Sequence, residues 1–262
     1  MVMRWLTLLV FAAPLGAQTF AYTPGTQRYR IEIATQNQRD QNGGRAPAEF
    51  NYTTTQVVTV HLAKQSRDTL ALTVTIDSIY QESALDAPKQ DLSFAKGLKL
   101  TGTVSPTGEV YRFEAPANVD ANVRGLYDGF RFFLPALHGQ LTSGTSWADT
   151  SKQRSGRRGA FDSVSTQKIV MSKVTGDTTY AGQRAWRIER TGSITLSGQG
   201  SEAGKALRVA GDGTIRGVQY VSVTGVYLGS KVTQIMRLVE SFADTGDGPA
   251  STQTIRSQIV PL

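Results

Sequence analysis

Hydrophobic and polar residues alternate along most of this chain with a period of two. From Gln27 onward, Tyr29, Ile31 and Ile33 fall on one side and Arg28, Arg30 and Glu32 on the other, the mark of a half-buried strand. The rhythm returns over residues 50–62 and 69–80, where Leu70, Leu72, Val74 and Ile76 face one way and Thr73, Thr75 and Asp77 the other. Ser66-Arg67-Asp68 between them suits a hairpin. Residues 98–104 and 109–113 flank Ser105-Pro106-Thr107-Gly108, with Pro and Gly where a tight turn favours them. Few charges on this pair place it centrally in a sheet. Further strands are predicted over 167–174, 185–196, 206–210, 214–228, 230–242 and 254–260, with turns at Gly176-Asp177 and 198–204. Apolar residues on both sides of 218–228 predict a strand covered on both faces.

The period changes once. Over residues 118–134, Val119, Val123, Leu126, Tyr127, Phe130, Phe133 and Leu134 recur every three or four positions, while Asp120, Arg124, Asp128 and Arg131 form a charged ladder on another face. This predicts one amphipathic helix, capped by Asn118 and stopped by Pro135. Gly125 and Gly129, one turn apart, predict a flat patch pressed onto a sheet. The fold class expected is mainly β: a large curved antiparallel sheet, half-barrel or barrel-like, with the helix on its concave face.

The first residues follow a different logic. A positive start ends at Arg4, an apolar run covers 5–13, and Leu15-Gly16-Ala17 ends in a small residue. Together these read as a signal peptide over 1–17, with a single β-rich domain over 18–262 and a periplasmic or extracellular destination for the exported chain. Beyond the leader no apolar run approaches the ~20 residues of a membrane helix. The chain has no Cys, which removes disulfides, thiolate metal sites, a cysteine nucleophile and a lipid-modified Cys at the mature start.

The formal charge is +7 and becomes +6 without Arg4. Basic residues are scattered except for Lys152, Arg154, Arg157 and Arg158, read as a solvated loop whose alternative role is contact with an anionic envelope surface. No aromatic residue is interleaved there for stacking bases, so nucleic acid is not expected as a partner.

Catalytic patterns are sparse. His61 and His138 have no ligand-spaced companions, so no metal and no cofactor are expected. Gly144-Thr145-Ser146-Trp147-Ala148 imitates a nucleophile elbow without its strand-to-helix setting, and Ser93 to Lys96 and Ser165 to Lys168 lack the companions of penicillin-recognising enzymes. Asp244 and Asp247 lack the ligand count of a calcium loop. The chain is therefore expected not to be an enzyme, with His138, Ser146 and Asp149 as the residues to test for any activity.

The order of Thr107 to Val110, Phe133-Leu134-Pro135-Ala136-Leu137, the segment 144–150 and Tyr180 to Ile188 resembles uncharacterised exported bacterial β-rich proteins. At fold level the expected sheet around a helix is similar to periplasmic lipoprotein carriers and lipid-binding half-barrels. The many long strands, the one aromatic helix and the lack of a catalytic set lead to the expectation of a non-enzymatic envelope protein binding a lipid or other hydrophobic molecule between helix and sheet. Phe130, Phe133, Trp147 and Trp186 are the candidate lining. The alternatives are an outer-membrane β-barrel, whose strands alternate in the same way, and a secreted hydrolase or protein-binding module.

Overall fold

The two-residue rhythm becomes twelve strands of one antiparallel sheet in the computed structural model, which describes residues 20–41, 44–83, 91–115, 119, 121–155, 160–242, 246–248 and 250–262. The strands are β1 (Gly25–Gln41), β2 (Gly44–Lys64), β3 (Leu70–Ser83), β4 (Lys99–Val104), β5 (Val110–Arg112) and β6 (Ser146–Ser155). They continue as β7 (Phe161–Tyr180), β8 (Gln183–Glu202), β9 (Lys205–Ser222), β10 (Tyr227–Phe242), β11 (Gly246–Asp247) and β12 (Ser251–Pro261). Their order is β5-β4-β3-β2-β1-β12-β10-β9-β8-β7-β6, with the short β11 paired to β10. The chain thus runs as two antiparallel meanders, joined where β12 inserts between β1 and β10.

No ladder joins β5 to β6 among the described residues, so the sheet is not closed by hydrogen bonds. Its two margins nevertheless meet at one end. His138 Nε2 lies 2.9 Å from Asp149 Oδ1 on β6, and its Nδ1 lies 3.9 Å from Glu109 Oε1, one residue before β5. Ten strand intervals separate β5 from β6 in the ladder, which in a flat sheet span about 48 Å. One imidazole can touch both margins only because the sheet curls. The segment after the helix stitches this seam: Leu137 N–H donates to Thr107 O, Gly144 N–H to Val174 O on β7, and Val174 N–H to Thr145 O, each at 2.8 Å.

The helix, α1 (Ala121–Phe130), is shorter than the 118–134 expected. Residues 131–134 form turns instead, and Phe133 N–H bonds back to Phe130 O at 3.0 Å. Tyr127 packs on Phe113, and Phe133 stands edge-on to both Tyr29 of β1 and Tyr227 of β10. These residues share one core with Val58, Val74, Ile76, Leu100, Val174 and Ile188. Gly125 and Gly129 are exposed, and a Cβ at either would meet nothing within 4 Å. They are therefore not the close-approach patch expected of them; the helix meets its neighbours through rings on the other side.

Several turns fall elsewhere than expected. β7 runs through Gly176, where the register shifts as in a bulge, and turns at Ala181-Gly182; β8 runs to Glu202 and turns at Ala203-Gly204. Both alanines have φ of +49°, a place where Asn, Asp or Gly is the usual residue of a two-residue hairpin. The long 214–228 strand is divided, because 223–226 is a turn closed by Ser222 and Val226. The pair β4 and β5 lies at a margin and not at the centre. Its few charges are explained by the seam, since Tyr22 N–H donates to Pro106 O and the Tyr22 hydroxyl to Pro135 O. Gly108, at φ +91°, lets Pro135 O approach to within 2.5 Å of where a Cβ would stand. The leader at 1–17, the Asn118 cap, Asp244, Arg157 and Arg158 lie outside the described residues.

Candidate functional site

Strand register sorts the side chains onto two faces of opposite character. On the outer face, one row runs Glu189, Val218, Lys231, Gln258, Glu32, and the next Thr191, Arg216, Thr233, Arg256. A third runs Thr195, Asp212, Arg237, Thr252. The core face beside α1 is apolar. Farther from the helix it becomes mixed, through the rows Thr54, Ile33, Ser257, Val232, Gly217, Arg190, Ser172, Trp147 and Tyr52, Thr35, Ile255, Gln234, Ile215, Gly192, Val170, Asp149. The next row is Asn37, Gln253, Met236, Gly213, Ile194, Lys168, Ser151.

Within these rows Val170, Ile194, Ile215 and Met236 form a second apolar cluster made of strand residues alone. Glycine makes it possible. A Cβ on Gly192 would stand 2.2 Å from Ile169 O, and one on Gly213 2.1 Å from Ile235 O. The backbones are pinched together at these points, and the neighbouring aliphatic chains close over the gaps.

Polar atoms without a hydrogen-bond partner among the described residues lie in or beside the core-face rows. Asn37 and Gln56 are each 8% exposed, yet Asn37 Nδ2 and Gln56 Oε1 have no partner, and neither has the buried Arg190 Nε. Such atoms are costly when left dry. Lys168 and Arg190, on adjacent strands, make no ion pair among the described residues. Burial lowers the affinity of both for their protons, and the Arg190 charge adds to the effect on Lys168. Burial also pushes the Tyr227 phenol up to about 12, against the opposing pull of its Ser230 hydrogen bond and the Arg190 charge.

Asp149 is the one carboxylate in these core-face rows. It accepts from Trp147 Nε1 at 3.1 Å and contacts His138 Nε2 at 2.9 Å. Asp149 thus engages Nε2, while Nδ1 stands 3.9 Å from Glu109 Oε1, beyond hydrogen-bond distance. Ser146 pairs with Lys173 on the outer face, opposite to Asp149, so the elbow-like segment does not bring its hydroxyl to His138. His138 lies half-exposed in the loop after α1, where it clamps the sheet's margins. His61 is an exposed strand residue bonded to Thr26. No group of three or more metal-ligating side chains occurs among the described residues.

The four aromatic residues singled out for a cavity all belong to the core beside α1. Phe130 and Phe133 are each 5% exposed, and Trp147 and Trp186 are half-buried against the same cluster. Side chains fill the space between helix and sheet. One open depression of about 380 Å³ lies elsewhere, bordered by Ala34, Gln36, Thr53, Glu82 and Arg256. Another of about 50 Å³ beside Tyr29, Leu62 and Leu134 has room for about one or two waters. Lys152 and Arg154 are exposed on β6, so the expected loop is the margin strand itself, where charges also discourage edge-to-edge pairing. Reading rows across the sheet was beyond the sequence, which is why Lys168, Arg190, Asn37 and Gln56 were missed; charged or amide residues at core-parity positions were the available signal.

No protein-family model and no curated protein matches this chain. Among solved structures, it is similar to an outer membrane channel from Pseudomonas putida F1 at 12% identity, over 96% of this chain and 100% of that one, with a TM-score of 0.20. Overlap at that level carries no argument about fold or role. What the chain is established to be, on its own geometry, is a mainly β protein built on one unclosed antiparallel sheet with a short helix at its seam.

Proposed function

We propose that this chain is an exported, non-enzymatic envelope protein whose curled sheet holds a hydrophobic or amphipathic molecule on its concave core face, beyond the end filled by α1. The observation that carries the reading is the unmet demand on that face: Asn37 Nδ2 and Arg190 Nε, without a hydrogen-bond partner among the described residues, lie in or beside the rows that hold the aliphatic cluster of Val170, Ile194, Ile215 and Met236. An amphipathic guest would answer both chemistries at once. The leader-like residues 1–17 support export. Contact of the basic β6 margin with an anionic envelope surface is a compatible second role for Lys152 and Arg154.

A lipid-embedded barrel is disfavoured by the outer rows. Such a barrel turns an apolar band outward, and Arg or Lys at mid-depth costs about 2–4 kcal/mol each. Here Arg216, Lys231, Arg237 and Arg256 lie in the outward rows.

The test is native mass spectrometry of protein prepared without detergent, with a fluorescence titration using N-phenyl-1-naphthylamine. Saturable probe uptake, displaced by a long-chain alcohol and weakened by Ile215→Asn relative to the outward Ile235→Asn, is expected. Absence of both a co-purifying hydrophobe and saturable uptake overturns the reading.

A further inference from the structure

We infer that the outward face of β6 to β10 and β12 is a docking surface for an anionic phospholipid bilayer, attracted by unpaired basic side chains and seated by Ile169, Met171 and Ile235 among the headgroups. The inference rests on the envelope contact given above to Lys152 and Arg154, moves it from the β6 margin to the whole face, and needs no guest on the core side.

Four adjacent outward rows make the face: the first carries Lys173 and Lys231, the second Met171, Arg216 and Arg256, the third Ile169 and Ile235, and the fourth Lys152 and Arg237. All six cations are exposed, and none forms an ion pair among the described residues. Of the two carboxylates in these rows, Glu189 is bound by Arg187, and Asp212 stands opposite Arg237. The first meander is built differently. There Arg28 meets Asp77 at 3.1 Å and Arg30 meets Glu32, so these outward arginines are neutralised within the fold. On the second meander the outward positive charge is left unanswered.

A bilayer surface answers both parts of this pattern. The third row is otherwise Thr and Ser and has no charge; its Ile169 and Ile235 are 44% and 46% exposed, and Met171, two residues along β7 from Ile169, is 48% exposed. Ile169 and Ile235 stand three strand intervals apart, about 14 Å, with cationic rows on either side of theirs. The sheet curls with its core inside, so this face is the convex one and rests on a membrane along a strip. Aliphatic tips enter the headgroup layer there, while the long Lys and Arg side chains reach out to phosphates beside it. Each such cation near an anionic leaflet adds to the attraction. A soluble polyanion would use the cations but leave the exposed aliphatic residues without a role, and these rows hold no aromatic ring on which bases stack.

The experiment is flotation of the intact protein with vesicles of phosphatidylcholine, alone or mixed in equal parts with phosphatidylglycerol. Binding to the anionic vesicles is expected to be about tenfold or more tighter than to the neutral ones, and to fall about tenfold in Arg216→Gln with Lys231→Gln. The control, Lys64→Gln with Arg67→Gln, removes the same charge from the exposed end of the β2–β3 hairpin and is expected to bind as the unaltered protein does. Equal binding to both vesicles, or equal loss in the control, overturns the docking face. Because the chain has no Cys, Met171→Cys or Ile235→Cys carries a single nitrobenzoxadiazole label, whose emission is expected to shift to the blue on anionic vesicles. A label at Tyr80→Cys, outward on β3 and 47% exposed, is expected not to shift. Unshifted emission at both 171 and 235 overturns the seating of the aliphatic residues. Binding to heparin without binding to vesicles makes the partner a soluble polyanion and overturns the bilayer. Each of these failures leaves the container reading, which probe uptake tests separately, in place.

Discussion

Three tyrosine hydroxyls show how the core handles polar atoms it cannot leave in water. Tyr29 donates to Tyr227 O at 2.7 Å and Tyr22 to Pro135 O at 2.9 Å, so each phenol pins a chain crossing far away in sequence. Burial, first among the causes, raises the proton affinity of Tyr22, Tyr29 and Tyr227 alike. All three are neutral in the fold, whereas free tyrosine ionises near pH ~10. Their contribution to stability is therefore whole below that pH and is lost as pH rises through the Tyr227 value of about 12. A tyrosinate absorbance titration is expected to show Tyr22, Tyr29 and Tyr227 ionising only as the far-ultraviolet circular dichroism collapses. A single early step with the fold intact would contradict this. Glycine gives the complementary case. Gly213→Ala drives a Cβ to 2.1 Å from a backbone oxygen, and a cost of about 1–3 kcal/mol is expected in urea unfolding. Gly125→Ala meets nothing within 4 Å on an exposed helical site, so a gain of about 0.5–1 kcal/mol is expected from the same measurement.

At the scale of elements, the strands follow their alternation closely, but their ends do not. The sequence places turns at Gly176-Asp177 and 198–204 because glycine and polar residues cluster there, yet β7 and β8 continue through both. Inside a sheet, those glycines serve a bulge and close strand contacts, while Ala181 and Ala203 take up the turns. A single alanine carries no sign that its φ will be positive. Holding an L-residue there costs about 1–2 kcal/mol, a penalty Asn eases. Ala181→Asn and Ala203→Asn are accordingly expected to raise the midpoint of thermal unfolding, each by an amount equivalent to about 0.5–1 kcal/mol. The helix shows the same split. Its three-to-four-residue period was legible, but not its end at Phe130, because Phe133 satisfies the apolar pattern from a turn, wedged between Tyr29 and Tyr227.

For the whole molecule, the decisive contact is the one that turns a long sheet into a curled one. His138 holds Glu109 and Asp149 across a seam that no strand pairing closes. His138→Ala is expected to cost only about 1 kcal/mol, since the groups are partly exposed and screened. Hydrogen exchange should accelerate selectively in β5 and β6, where the margin loosens; uniform protection across the sheet would show that the clamp is idle.

Sequence alone determined the strand-rich class, the one change of period at the helix and the absence of cysteine, because each is written in local spacing or composition. Tertiary structure decided which strands neighbour one another, that β4 and β5 lie at a margin, and that Lys168 and Arg190 share a face with the aliphatic cluster. The physical reason is that alternation fixes the side on which a residue falls but not what stands across the strand from it. That second relation belongs to register, and register is set by pairing between distant segments.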